Sequence, residues 1–98
     1  LEEDQKRRSK RALTDAIDRA LIDLLAIYRD ILMVQVGGDG ELINTDLSEL
    51  VHQIAHDSTP HQTLARVDHI ETARKRLVAN GNPLLVLEDM AISLRPQA

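Results

Sequence analysis

His52 and His56 stand one helical turn apart in His52-Gln53-Ile54-Ala55-His56, the ligand spacing of the helical zinc hydrolases. Two imidazoles so placed share a helix face and hold a metal if a third ligand joins them, and Asp57, His61 or His69 could be that ligand. Hydrolysis would also need a general base beside the metal. Those enzymes carry a glutamate after the first histidine, and Gln53 in its place cannot take a proton. The pair reads as a solvated helix face, and no metal site is expected.

Gly37-Gly38-Asp39-Gly40 offers flexible backbone that could approach an anion. A nucleotide-binding loop, however, follows a strand and runs through Gly-Lys-Ser/Thr into a helix, whereas this one follows a helical pattern and leads to Glu41-Leu42-Ile43. It reads as a connection between helices. There is no cysteine, and Ser9, Ser48, Ser58 and Ser93 do not sit in a strand-to-helix elbow. Glu88 and Asp89 are adjacent, so on a helix their carboxylates diverge. No catalytic residue, cofactor or small-molecule substrate is expected.

Lys6, Arg7, Arg8, Lys10 and Arg11 form the strongest local candidate for phosphate contact, and Arg74-Lys75-Arg76 a second one. Both have ordinary readings. Glu2, Glu3, Asp4 and Asp15 lie within helical contact distance of the first cluster. The second falls in the last turns of its helix, where cations complement the dipole. No aromatic residues interleave with either to stack bases. A small nucleic-acid-binding domain using the Lys6-to-Arg11 face is the rival reading of the whole chain.

These residues ride on helices. Glu2 to Val36 holds no proline or glycine, and Leu13, Ile17, Leu21, Leu24, Tyr28 and Ile31 keep a three-to-four spacing, which predicts one long helix. From Ala20 onward only Asp23, Arg29, Asp30 and Gln35 interrupt the apolar residues, so this half is expected to be buried nearly all round. Its three charged residues argue against a membrane span. A short second helix follows Thr45-Asp46, with Leu47, Leu50, Val51, Ile54 and Ala55 on its inner face. Thr59-Pro60 with Gln62 is a strong start signal for a third, whose stripe is Leu64, Val67, Ile70, Ala73, Leu77 and Val78. Asn80-Gly81 ends it, and Asn82-Pro83 opens a fourth that runs to about Leu94. Leu84, Leu87, Ala91 and Leu94 form one face of that helix, widened by Leu85, Val86, Met90 and Ile92.

The chain of 98 residues is thus expected to be one all-α domain over 1–98, a bundle of about four helices. Its apolar fraction of 43% is carried by aliphatic residues, with one Tyr and no Phe or Trp, a palette that suits helices. The net charge of −4 gives no global attraction to nucleic acid or anionic lipid. Without cysteine or an apolar leader, a cytoplasmic location is the expectation. The opening Leu1-Glu2-Glu3-Asp4 reads as the start of a C-terminal piece of a larger protein.

Tyr28-Arg29-Asp30-Ile31-Leu32 near the end of the long helix, Asn44-Thr45-Asp46 after the loop, Ala73-Arg74 with Leu77 in the third helix, and the corner from Asn80 to Glu88 form a pattern in their order and spacing. It resembles the C-terminal collar domain of the delta-prime subunits of bacterial DNA polymerase III clamp loaders, over about Leu13 to Leu94. The resemblance implies an oligomerisation domain without enzymatic activity, packing beside the tau/gamma and delta collars in a ring and associated only indirectly with DNA and the sliding clamp. Family collars usually carry a further helical segment before the long helix. For contact with neighbouring subunits, the surplus apolar residues Leu85, Val86 and Ile92 are the candidates. Arg29 and Asp30, set in the most apolar helix, are expected to be a structural polar pair.

Overall fold

The computed structural model describes residues 1–38, 42–79 and 82–95. Helix α1 spans Glu2–Gln35, α2 spans Ser48–Asp57 behind a single 3-10 turn at Thr45–Leu47, α3 spans Pro60–Val78, and α4 spans Pro83–Ser93. The all-α bundle expected from the sequence is what forms. At about 1.5 Å per residue a helix of 34 residues is about 51 Å long. Helix α1 therefore accounts for nearly the whole 54 Å long axis of the molecule.

The starts of α3 and α4 follow directly from their capping residues. Thr59 Oγ1 accepts from Gln62 N while Gln62 Oε1 accepts from Thr59 N, a reciprocal capping box with Pro60 at the first helical position. Asn82 Oδ1 accepts from Leu84 N and Leu85 N ahead of Pro83. Thr45 or Asp46 would be the expected cap of α2, but both lie in the preceding 3-10 turn and Leu47 stands at the N-cap, with no side-chain cap. At the end of α1, Gly37 adopts a left-handed φ of 72°, which glycine reaches without the steric cost of a Cβ. Asp39 and Gly40 of the glycine-rich loop, and Asn80-Gly81 of the α3–α4 corner, lie outside the described residues.

Two hydrophobic clusters hold the bundle. Ile17, Leu21 and Leu25 of α1 pack with Ile70, Ala73 and Leu77 of α3 and with Val86 and Met90 of α4. Ile31 of α1 packs with Val51 and Ala55 of α2. Tyr28 borders both. The expected burial of α1 nearly all round does not occur, because α2, α3 and α4 cover only part of its circumference: Ile22 and Met33 remain exposed beside Asp23 and Arg29. Of the broad apolar face expected of α4, Val86 and Met90 turn inward together with Pro83, whereas Leu84, Leu85, Leu87 and Ile92 are exposed.

Polar groups fix the joints between these clusters. Gln35 Nε2 donates to Ser58 O at 3.0 Å, to Ser58 Oγ at 3.1 Å and to Ala55 O at 3.3 Å, while its Oε1 accepts from the buried Thr63 hydroxyl at 2.7 Å. One carboxamide thus ties α1 to the α2–α3 corner and leaves none of its own groups unpartnered. Asp30, only 3% exposed, accepts from Ile43 N and Asn44 N at 2.8 Å each and from Asn44 Nδ2 at 3.1 Å. Burial pushes its carboxyl pKa up, but the three hydrogen bonds to the charged form outweigh this and hold it below its ordinary value.

A native-state value below the unfolded one means that the Asp30 contribution to stability is complete above the unfolded carboxylate value. It is lost as pH falls from about 4 through the native value. Asp30→Asn replaces one acceptor oxygen by an amide donor that must face at least the Ile43 N–H, and is expected to cost about 1–3 kcal/mol at neutral pH, measured by urea unfolding. The variant should also lose part of the acid-side decline in stability seen in the parent between about pH 5 and pH 2.

Candidate partner-binding surface

Helix α4 presents the most concentrated apolar surface that the domain does not use. Leu84 is 63% exposed, Leu85 56% and Ile92 58%, and Leu87 also reaches solvent. Four large aliphatic residues on an 11-residue helix form a patch of the kind that marks protein–protein contact more often than ligand binding. Leu85 and Ile92 are therefore accessible to a neighbouring molecule. Val86 is not: at 6% exposed it packs inside the cluster with Leu77 and Met90, because the helix turns that side toward α1 and α3. Leu84 belongs with the outer group.

The helix is held in place by its cap and by α3. Arg76 Nη1 lies 3.3 Å from Asp89 Oδ2, a solvent-exposed link between α3 and α4. Arg74 makes a two-pronged contact with Asp18 of α1, Nε to Oδ1 at 2.8 Å and Nη2 to Oδ2 at 3.3 Å. The hydrogen bond from Arg74 holds the Asp18 carboxyl below its ordinary value against the opposing effect of burial, with the arginine charge adding to it. Asp18 in turn raises the Arg74 pKa. Arg74 and Arg76 thus serve as cross-links between helices, a finer role than the dipole complement expected of them.

The remaining sequence candidates are placed as follows. Of the two polar residues Arg29 and Asp30, Asp30 turns inward and bonds the 43–44 backbone, while Arg29 is exposed and makes no ion pair among the described residues. Lys6, Arg7, Arg8, Lys10 and Arg11 are all exposed on the projecting end of α1, and among the described residues no ion pair joins them to Glu2, Glu3, Asp4 or Asp15. Arg7, Arg8, Lys10 and Arg11 line an open groove with Leu77 and Val78. His52 Nδ1 donates to Ser48 O at 2.7 Å. His61 and His69 lie on α3, and no group of three or more His, Asp or Glu side chains is poised to hold a metal among the described residues. Among those residues no helix is long and apolar enough to cross a membrane.

The buried Thr63 and its bond to Gln35 carry no signal in the sequence, whose periodicity puts Leu64 on the inner face; Leu64 is half exposed instead. No local pattern links residues 28 positions apart.

The family model described as "DNA polymerase III, delta subunit, C terminal" matches residues 11–95, which includes all of α2, α3 and α4 and most of α1. The chain belongs to this family. DNA polymerase III subunit delta' of Bacillus subtilis (strain 168) is 35% identical over 72 residues, which is 74% of this chain and 22% of that relative. The chain therefore spans less than a quarter of the curated relative it matches. No solved structure matches it. The resemblance to the delta-prime C-terminal domain is thereby supported on independent grounds, and the α4 patch lies within the matched region.

The structure separates two neighbours on α4. Val86→Ala is expected to cost about 2 kcal/mol in urea unfolding, from lost apolar burial and a residual cavity. Leu85→Ala should stay within roughly 0.5 kcal/mol of the parent, as substitutions at exposed sites usually do.

Proposed function

We propose that this domain, over residues 1–98, is the collar element of a clamp-loader subunit. It holds its subunit in a ring by packing the exposed α4 face against the collar domains of tau/gamma and delta neighbours. The observation that carries the reading is the placement of Leu84, Leu85 and Ile92 on the outside of a helix whose inner side is already satisfied by Val86 and Met90. Monomers rarely leave such a patch uncovered. Membership of a family described by the C-terminal part of the delta subunit supports other clamp-loader subunits as the partner class.

In this reading the domain has no catalytic step and takes no cofactor or small-molecule substrate, works in the cytoplasm, and meets DNA and the sliding clamp only through the assembled complex. Its contribution is mechanical. A capped helix pinned to α3 by the Arg76–Asp89 contact presents a preformed surface, so little ordering remains to be done on association.

Sedimentation or size-exclusion chromatography of the chain mixed with tau/gamma and delta collar domains should show co-migration. Leu85→Glu with Ile92→Glu should weaken that association at least tenfold, about 1.4 kcal/mol or more, while leaving the helical circular dichroism spectrum unchanged. Co-migration unaffected by the double substitution would move the interface off α4.

A further inference from the structure

We propose that the cleft between α3 and the end of α4 is a binding site for a phosphate group. The cleft encloses about 230 Å3, and its lining includes His61, Gln62, Arg66, His69, Ser93 and Arg95. The cleft is partly open to solvent and large enough to admit one phosphate. His61, Gln62, Arg66, His69 and Arg95 can each donate a hydrogen bond, the Ser93 hydroxyl already donates to Asp89 O at 3.1 Å, and no carboxylate is in the lining.

The arginines are not spent elsewhere. The ion pairs of the described residues are Arg19–Asp23, Arg74–Asp18 and Arg76–Asp89, so neither Arg66 nor Arg95 has an acidic partner among those residues. Asp89, which lines the adjoining cleft with His69 and Ser93, is already engaged by Arg76. Arg66 is half-buried, which makes its charge more costly to leave without a counter-ion than that of a fully exposed arginine.

Helix ends do not balance this charge. The carbonyl end of α4 contributes roughly half a negative charge, against two full guanidinium charges. His61 and Gln62 stand in the first turn of α3, whose amide end carries the opposite partial charge and adds to the attraction for an anion. Gln62 is also preset: its Oε1 is held by Thr59 N, so its NH2 remains as the donor. Two arginine forks are the groups best matched to the oxygens of a phosphate.

The test is a titration of the chain with inorganic phosphate, then with pyrophosphate, followed by nuclear magnetic resonance at ionic strength held constant with sodium chloride. Saturable shifts are expected at His61, His69 and the Arg66 side chain, with pyrophosphate binding more tightly than phosphate. Arg95→Gln, at an exposed position, should weaken binding by about tenfold, the loss of one charge-assisted contact. Arg66→Gln should do at least as much, with thermal unfolding reporting that the fold is intact. Arg7→Gln with Arg11→Gln should change nothing. A parallel titration with a short oligonucleotide identifies the source: tighter, steeply salt-dependent binding at the same resonances assigns the site to a nucleic-acid backbone, and its absence assigns it to a free phosphate compound. Shifts that fail to saturate, that appear equally at Lys6 to Arg11, or that survive Arg95→Gln and Arg66→Gln unchanged would overturn the proposal.

Discussion

Helix α1 has to complete two hydrophobic clusters on different faces, and the rest of the molecule is arranged around that demand. Ile17, Leu21 and Leu25 meet α3 and α4, while Ile31 with Ile27 and Val34 meets α2. At 3.6 residues per turn these two sets are displaced by roughly a third of the helix circumference. Tyr28 lies between them, touching both, and is the sole aromatic residue of the chain. Because the clusters are offset in both height and direction, α2 must leave α1 at one angle and α3 return at another. The polar contacts of Asp30 and Gln35 sit at the points where the chain makes those changes.

This arrangement explains where charge is buried and where it is left out. Asp30 tolerates burial because backbone amides, which carry no counter-charge of their own to desolvate, meet its oxygens at 2.8 Å. Asp18 and Arg74 bridge α1 and α3 at the edge of the first cluster, where water still reaches both; such pairs contribute at most about 1 kcal/mol and act mainly to fix register. The apolar side chains of α4 that no cluster accommodates are turned outward. Exposed apolar surface thus arises as a direct result of how few helices the bundle has to cover itself.

Some of this was legible in the residues and some was not, and the division is physical. Thr59-Pro60 with Gln62 and Asn82-Pro83 announced helix starts, because capping is decided within four residues. Leu85 and Ile92 were legible as surplus because α4 is apolar on too many sides for one neighbour. The same abundance hid its phase: with Leu84, Leu85, Val86 and Leu87 consecutive, no pattern says that Val86 is the one facing α3, and the packing of Met90 and Pro83 decides it. Asp30 announced itself as a charge needing a partner, but its partners are amides in a loop beyond the helix, and a partner without a side-chain signature cannot be read from residue types. The charge of the α3–α4 cleft was hidden for a related reason, since Arg95 and Arg66 line one cleft only after α4 has folded back.

The carboxylate of Asp30 also changes what length means for the chain that follows α1. By gripping the backbone at Ile43 and Asn44 it closes a loop of modest size, so that everything after Asn44 is positioned from a fixed point on α1 and not from the end of that helix. Closing a flexible loop becomes harder only logarithmically as residues are added, about 0.6 kcal/mol for each doubling. Extra chain length between Asp30 and Asn44 would therefore cost the bundle little, because α2 and both clusters take their places from the Asp30 contact and not from the length of chain that precedes it.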